Sequence, residues 1–372
     1  MIDIDTKLNP LTQYFENLGF KPEITNNKKI FKVFNSTNDE LNSLYNGVGL
    51  RDCSNLGILE LSGKDVLDYL HRISTNYLKD ISKETLEQTI FTSEKGKIID
   101  ISTIMNFEDH QLLICSQANK YKVKSWIEKY VIMDDVKVND PNGNYSLLEV
   151  LGPQSDSFMT LVCGNIINEI ELNKFKSVRS EGIMFFLSKL RNNNGNFKFW
   201  ILTDPENAVK LVEYMINNKG IFDFNLIGDD AYNSFRISQG IPTAPNELND
   251  QYNPHEANLI GLVDFKKGCY IGQEVIARLE TYDKVQKYLK GISFNEPPDE
   301  TCQYNLFDSE ENEAGNITSI GYSQRCGKHI GLAYIKKAYL QDGTLLIAKN
   351  GNGKNGNGKN IPVTVKNIPF RK

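Results

Sequence analysis

The residues whose types and spacing best suit chemistry lie in Lys266-Lys267-Gly268-Cys269-Tyr270-Ile271-Gly272-Gln273-Glu274. Glycines 268 and 272 bracket a cysteine and an aromatic, so the backbone there is free to take conformations that a Cβ resists. The pattern predicts a turn that presents Cys269. Two lysines just before it favour the thiolate, the reactive form of the side chain. Gln273 and Glu274 open a helical run through Val275, Ile276, Ala277, Arg278 and Leu279. Its unpaired N–H groups add a partial positive field at the same turn. Cys269 is thus a candidate for thiol exchange, a redox step or a transient sulfur or cluster contact. A small buried hydrophobe in a tight turn is the alternative. Lys267 is a candidate anion holder, and Gln273 and Glu274 are candidates to position the loop. Arg278 has the helical spacing to pair with Glu274.

Other polar residues are sparser. Asp100 follows Ile98-Ile99 on a predicted strand, and His255 and Glu256 occupy a polar loop before the cysteine turn. His71 and His329 have no partner visible in sequence and read as surface or cap residues. The six cysteines and four histidines are scattered, and no Cys-x-x-Cys pair occurs. That pattern predicts reduced thiols, no disulfide framework and no metal site. The chain of 372 residues carries a formal net charge of −5. This balance argues against a broad nucleic-acid footprint. No apolar run is long enough for a bilayer, and Met1-Ile2-Asp3-Ile4-Asp5 lacks the basic and apolar regions of a leader. The expected location is the cytoplasm, with no membrane partner.

The elements that must position these residues follow from periodicity. Helices are predicted over Pro10–Leu18, after a Thr37/Glu40 capping pair, after Ser62 as cap with Asp65 in its first turn, from Ser116, through Val162, and from Asp204-Pro205. Gly49–Ser54 reads as a turn. Strands are predicted at Ile58–Leu61, Gln88–Thr92, Ile98–Phe107, Gln111–Cys115, Val136–Val138, Tyr145–Leu151, Gly182–Ser188 and Phe197–Thr203. Turns are predicted at Asp140–Gly143 and Asn192–Asn196. Ala231–Ile237 leads, as helix or extended chain, to Gly240. The result is an α+β reading with two units of similar layout, which suggests an internal repeat. After Lys284 the strands Lys287–Phe294, Gly315–Ser323, Ile330–Ile335, Leu345–Lys349 and Pro362–Val365 predict a small β-barrel or sandwich. The Gly351–Asn360 repeat has the composition of a flexible hairpin-tip loop.

Lys267-Gly268-Cys269-Tyr270-Ile271-Gly272-Gln273-Glu274 resembles the signature of the YgfZ folate-binding proteins, relatives of the glycine cleavage T-protein, an aminomethyltransferase. Gly49-Leu50-Arg51-Asp52-Cys53-Ser54, Ser62–Asp65 through Thr75-Asn76, Gly152–Ser155, Arg236–Pro242, Thr318-Ser319 with Ser323, and Ile330–Ile335 resemble further family segments in the expected order. The resemblance implies two ferredoxin-like, aminomethyltransferase-type folate-binding domains and a C-terminal barrel around a central cavity. The expected boundaries are 1–52 with 145–250, 53–144, a signature segment 251–283, and a barrel 284–372.

The same resemblance implies tetrahydrofolate, or a one-carbon derivative, as cofactor. Lys267, Gln273, Glu274, Arg278, Arg236, Ser238 and Glu256 are its expected contacts, Arg278 through a folate carboxylate. The implied function is an accessory role in assembly or maintenance of iron–sulfur proteins, including tRNA-modifying enzymes. Its implied partners are folate and iron–sulfur client or assembly proteins, without direct nucleic-acid binding. The alternative is folate-dependent aminomethyl transfer of the glycine-cleavage type, with Asp100 promoting transfer to folate. Two departures bear on the choice. The family's Gly-Gly-x-x-Asp-Asp segment reads Gly96-Lys97-Ile98-Ile99-Asp100-Ile101, and Ser238 stands where a folate-facing glutamate is expected. A neutral hydroxyl does not present the same fixed charge.

Overall fold

The computed structural model describes residues 9–25, 28–141, 143–192, 195–350 and 360–370. The Met1–Asp5 start, the Gly351–Asn360 repeat up to residue 359, Asn142 of one predicted turn and residues 193–194 of another lie outside that set. The chain divides into two units: Met1–Leu56 with Glu84–Leu86 and Asp140–Tyr232, and Gly57–Lys83 with Glu87–Asn139 and Asn233–Lys372. No helix among the described residues is long and apolar enough to cross a membrane.

In the first unit, the strands Phe224–Leu226, Val48–Asp52, Ser146–Leu151, Phe197–Thr203, Ile183–Arg191 and Lys174–Ser180 are neighbours in that order. Side chains alternate between faces along a strand. Leu50, Leu148, Val150, Phe199, Ile201 and Leu187 therefore share one face and pack with Phe158, Met159, Leu211 and Met215 of the helices Ser155–Cys163 and Pro205–Asn217. Burial of each such side chain contributes about 1.5–3 kcal/mol. Asp204 caps the second helix as predicted, accepting from the N–H groups of Glu206 and Asn207 at 3.1 and 2.9 Å.

In the second unit, Thr85–Thr92, Ile98–Asn106, Gln111–Cys115, Gly57–Ser62 and Lys137–Asn139 are neighbours in that order. The helices Val66–Ile73 and Lys120–Tyr130 cover one face, with Tyr69, Leu70, Val123 and Ile127 against Leu59, Leu61, Ile104 and Leu113. The C-terminal part is a closed barrel of Lys287–Phe294, Lys328–Lys336, Glu313–Ser323, Tyr304–Phe307, Leu345–Asn350 and Ile361–Lys366. Closure leaves no unpaired strand edge. Leu289, Ile330, Leu332 and Tyr334 of the barrel join Ile90, Ile98, Ile237 and Tyr252 in one cluster, so the barrel is continuous with the rest of its unit.

The suspected repeat is visible in the element order. From Gly57 the second unit runs strand, helix, three strands, helix, strand, ending at Asn139. From Ser146 the first unit runs through the same seven elements, ending at Leu226. Corresponding strands also keep the same lateral order, except that Val48–Asp52 is inserted between the last strand and the first in the first unit.

Several local expectations are corrected. The cap of the helix Thr37–Asn46 is Ser36, whose hydroxyl accepts the Asp39 N–H at 3.1 Å. Glu40 instead accepts from the backbone N–H groups of Phe34, Asn35 and Gly228. The segment read as a turn from Gly49 begins as the strand Val48–Asp52, because pairing with Ser146–Leu151 and Phe224–Leu226 outweighs the turn preference of Gly49. Ser62 ends a strand rather than capping a helix; Asp65 occupies the cap position, and its carboxylate accepts the Asp135 N–H at 2.8 Å. Five further strands among the described residues were not predicted: Glu23–Thr25, Lys28–Ile30, Lys174–Ser180, Phe224–Leu226 and Tyr304–Phe307. Lys174–Ser180 is hidden by its basic residues, and Tyr304–Phe307 is only four residues long.

Candidate functional site

The cysteine turn is anchored at both ends within the second unit. Lys267 is 8 % exposed, and its ammonium donates to the carbonyls of His71, Ser74 at 2.6 Å and Asn76 at 2.6 Å. Burial pushes this lysine down to about 7. His71, expected at the surface, is buried. Its Nε2 lies 3.0 Å from the Lys267 carbonyl, and its Nδ1 accepts the Leu78 N–H at 3.3 Å. Those roles require the neutral ring with its proton on Nε2. Burial, then the Lys267 charge, moves the His71 pKa down in agreement. At the far end, Thr92 Oγ1 donates to the Ile271 carbonyl at 2.8 Å. Gly272 has φ +86°, and a Cβ there would lie 2.5 Å from the Ser93 carbonyl oxygen. Between the anchors Cys269 is exposed, while Tyr270 packs with Val263 and Ile276. Gln273 and Glu274 begin the helix Gln273–Thr281. Glu274 and Arg278 are both exposed on it and form no ion pair with each other.

Asp100 is fully buried on the helix-covered side of its sheet. Oδ2 accepts the Ser116 N–H at 2.7 Å, and Oδ1 accepts from Asn119 Nδ2 at 3.2 Å. Burial raises its pKa despite these donors. Strand alternation turns the next residue, Ile101, to the opposite face, where it packs with the cluster of Ile98, Tyr252 and Leu289. That face carries no acid at the motif's second position.

Arg236 and Ser238 lie on the helix Asp229–Gln239. Arg236 donates to Glu247 Oε2 at 3.1 Å and to Ser319 Oγ at 2.8 Å, and Ser238 Oγ donates to the Phe235 carbonyl at 2.7 Å. Glu247, fully buried, also accepts from Thr318 and Ser319 at 2.6 Å each. This buried acid, which sequence did not single out, ties the helix to the barrel. A cavity of about 300 Å³ opens beside it, with Asn233, Asn246, Cys302 and Gln303 on its walls.

Glu256 accepts the Asn253 N–H at 2.8 Å through Oε2, and Lys97 Nζ stands 3.5 Å from the same oxygen. Nearby, Lys287 lies 4.4 Å above the Tyr252 ring, which stacks on Tyr334 at 3.4 Å. Burial lowers the Lys287 pKa. His255 connects this loop to the cysteine-turn helix: its Nε2 meets the Ile276 carbonyl at 2.9 Å, and its Nδ1 lies 3.3 Å from Glu280. The structure thus brings Lys267, Cys269, Gln273 and Glu274 together on one turn and links Glu256 to their helix. Arg236 belongs to the separate Glu247 network, Ser238 bonds to the Phe235 carbonyl of its own helix, and Asp100 belongs to the Ser116–Asn119 cap.

The first unit holds a polar cluster that sequence reasoning missed. Glu149 accepts from Lys198 at 2.9 Å and Trp200 Nε1 at 3.1 Å, and lies 3.8 Å from Arg51. Arg51 stacks 3.6 Å over Tyr232. Burial opposes ionisation of Glu149, but Lys198 and Arg51 outweigh it and hold the carboxyl below its usual range. Alternation in Leu148-Glu149-Val150 signals that Glu149 faces away from the helix-covered core, which is the clue sequence offered.

A folate needs acceptors for the pterin N–H edge and cations for its glutamate carboxylates. Glu256 has the chemistry for the first need, since no hydrogen bond to its Oε1 is found among the described residues, whereas Lys97 Nζ is taken by the Gln251 carbonyl at 2.8 Å and by Glu256 itself. The residues present therefore fit the pterin end of such a ligand through Glu256. Asp100 and Ser238 are committed to internal bonds.

Paired α+β sheets of one repeated plan followed by a closed six-stranded barrel define a glycine-cleavage T-protein type of fold. The chain matches the GCVT N-terminal domain over residues 10–267 and the glycine cleavage T-protein C-terminal barrel domain over residues 291–370, and it belongs to this family. It is 27 % identical over 311 residues to the putative transferase At1g60990, chloroplastic, of Arabidopsis thaliana, covering 83 % of this chain and 70 % of that one. It is 26 % identical over 309 residues to an aminomethyltransferase of Desulfitobacterium hafniense, with 83 % and 84 % covered. The fold is that of the glycine cleavage system aminomethyltransferase T from Bartonella henselae, with a TM-score of 0.83, 18 % identity and 97 % of each chain covered.

Proposed function

We propose that this chain is a folate-binding accessory protein of the YgfZ kind, supporting assembly or maintenance of iron–sulfur proteins, including tRNA-modifying enzymes, with Cys269 as its acting group. The observation that carries this reading is Asp100: the only acid in the transferase-like segment has both oxygens occupied inside the fold. The exposed Cys269, held on a turn that resembles the YgfZ signature, supports it further. Tetrahydrofolate is the proposed cofactor. Glu256 would accept from its pterin N–H groups. Bound there, the cofactor would supply one-carbon carrying capacity.

The second reading, aminomethyl transfer, is favoured by the named activity of the Desulfitobacterium relative. Assay with an aminomethyl-lipoyl carrier separates the two. No turnover is expected; clear turnover abolished by Asp100→Asn would establish the transferase instead. Titration calorimetry with tetrahydrofolate should show binding, and absence of heat at high micromolar ligand removes folate from the account. In cells carrying only Cys269→Ala, iron–sulfur client activity should fall while the protein stays folded. Unchanged client activity would refute the role of Cys269.

A further inference from the structure

The helix Val66–Ile73 ends with carbonyls that lack an intrahelical partner, and a lysine near a helix C-terminus is favoured both as a donor and by the dipole. Here the donor comes from far along the chain. Lys267 Nζ gathers the carbonyls of His71, Ser74 and Asn76, and the His71 ring returns a bond to the Lys267 carbonyl at 3.0 Å. The two residues are therefore joined in both directions. Beyond the turn, Thr92 holds Ile271 and the Ser93 carbonyl crowds Gly272. Gly268, at φ +98°, has no atom within 4 Å of where a Cβ would be, and Cys269 is exposed. The only solvent-facing residues of this span thus lie between two anchors.

We propose that Lys267, together with His71, is a positioning residue for Cys269. Its ammonium closes the near end of a two-ended clamp, so it determines how the thiol is presented. The inference rests on the reading in which Cys269 acts on a client. The charged and titratable groups around the clamp are Asp264 on the same segment, the Tyr270 ring 5.2 Å from Lys267 Nζ, and His71 with Asp68 and Lys79 around it. None of these is within ion-pairing distance of Lys267. The carbonyls are its partners, and a side chain without N–H donors would leave them unsatisfied.

The test uses Cys326, exposed on the turn between Glu313–Ser323 and Lys328–Lys336, as an internal reference. N-ethylmaleimide labelling of the full chain, read by peptide mass spectrometry, gives the Cys269/Cys326 rate ratio. Hydrogen exchange reads the amides of 268–271. Lys267→Ala should shift the ratio at least about threefold and speed exchange roughly tenfold. Added n-butylammonium should restore both, whereas tetramethylammonium, equal in charge but without N–H donors, should not. His71→Asn keeps an acceptor for the Leu78 N–H and loses the donor to Lys267, so it should move both readouts the same way by less. It carries the test alone if Lys267→Ala does not fold. Folded variants with unchanged ratio and exchange, or equal rescue by the two cations, overturn the clamp. If Cys269→Ala leaves client activity intact, the functional reading fails while the exchange data still judge the clamp.

Discussion

Asp100 and Asn119 are locked together beneath the helix-covered face of the second unit, Asn119 donating both to Asp100 at 3.2 Å and to the Ile99 carbonyl at 2.9 Å. An acid placed by motif beside a ligand is, in this chain, a cap for the segment after Cys115. Asp100→Ala should therefore lower unfolding free energy by about 1–3 kcal/mol, the cost of leaving its buried donors unpaired. Tetrahydrofolate affinity should be unchanged. Urea denaturation and calorimetry read the two quantities, and a large loss of affinity at constant stability would return Asp100 to the ligand.

The signature's two glycines should respond differently. Gly272→Ala combines a left-handed backbone with a Cβ 2.5 Å from a carbonyl oxygen, so a loss of about 2 kcal/mol or more is expected. Gly268→Ala meets open space and should cost only about 1 kcal/mol from backbone strain. Equal thermal shifts for the two variants would contradict this account of the turn.

His71 makes the clamp sensitive to acid. Its folded pKa is lowered, by burial first and the Lys267 charge second. The unfolded chain thus binds more protons below the ordinary histidine value of about 6.5. Stability from this group is complete above that value and declines as pH falls from it toward the folded pKa. Denaturation midpoints across this range should drop in the parent and drop less in His71→Asn.

Glu149 neutralises two cations in the first unit. Glu149→Ala should cost roughly 2–3 kcal/mol, below the full cost of breaking a sealed ion pair because Lys198 keeps 24 % of its side chain exposed. Pairing it with Lys198→Met should recover part of the loss. Strict additivity in that double-mutant cycle would show that the two do not interact.

Thiol labelling of the native chain should reach Cys269 and Cys326 first, since both are exposed. Cys53 and Cys163, whose thiols burial pushes up to about 12, should label slowly. Peptide mapping during a time course with iodoacetamide checks the order, and early labelling of Cys53 would mean that its surroundings open readily.

The sequence by itself determined the features carried by short-range pattern. The Asp204-Pro205 cap, the alternation of Ile98–Asn106 and the glycine-flanked turn at Cys269 are all written in neighbouring residues, because backbone sterics and hydrogen bonding act within a few positions. The repeated seven-element order was partly legible for the same reason. Tertiary structure alone decided the partners. Nothing near Lys267 announces that its ammonium meets carbonyls 191 to 196 positions away. Nothing near Asp100 announces that both its oxygens are taken, or that Glu247 would collect Arg236, Thr318 and Ser319. A charged group's role depends on which donors and acceptors the fold brings within about 3 Å, and that distance is set by packing of remote segments.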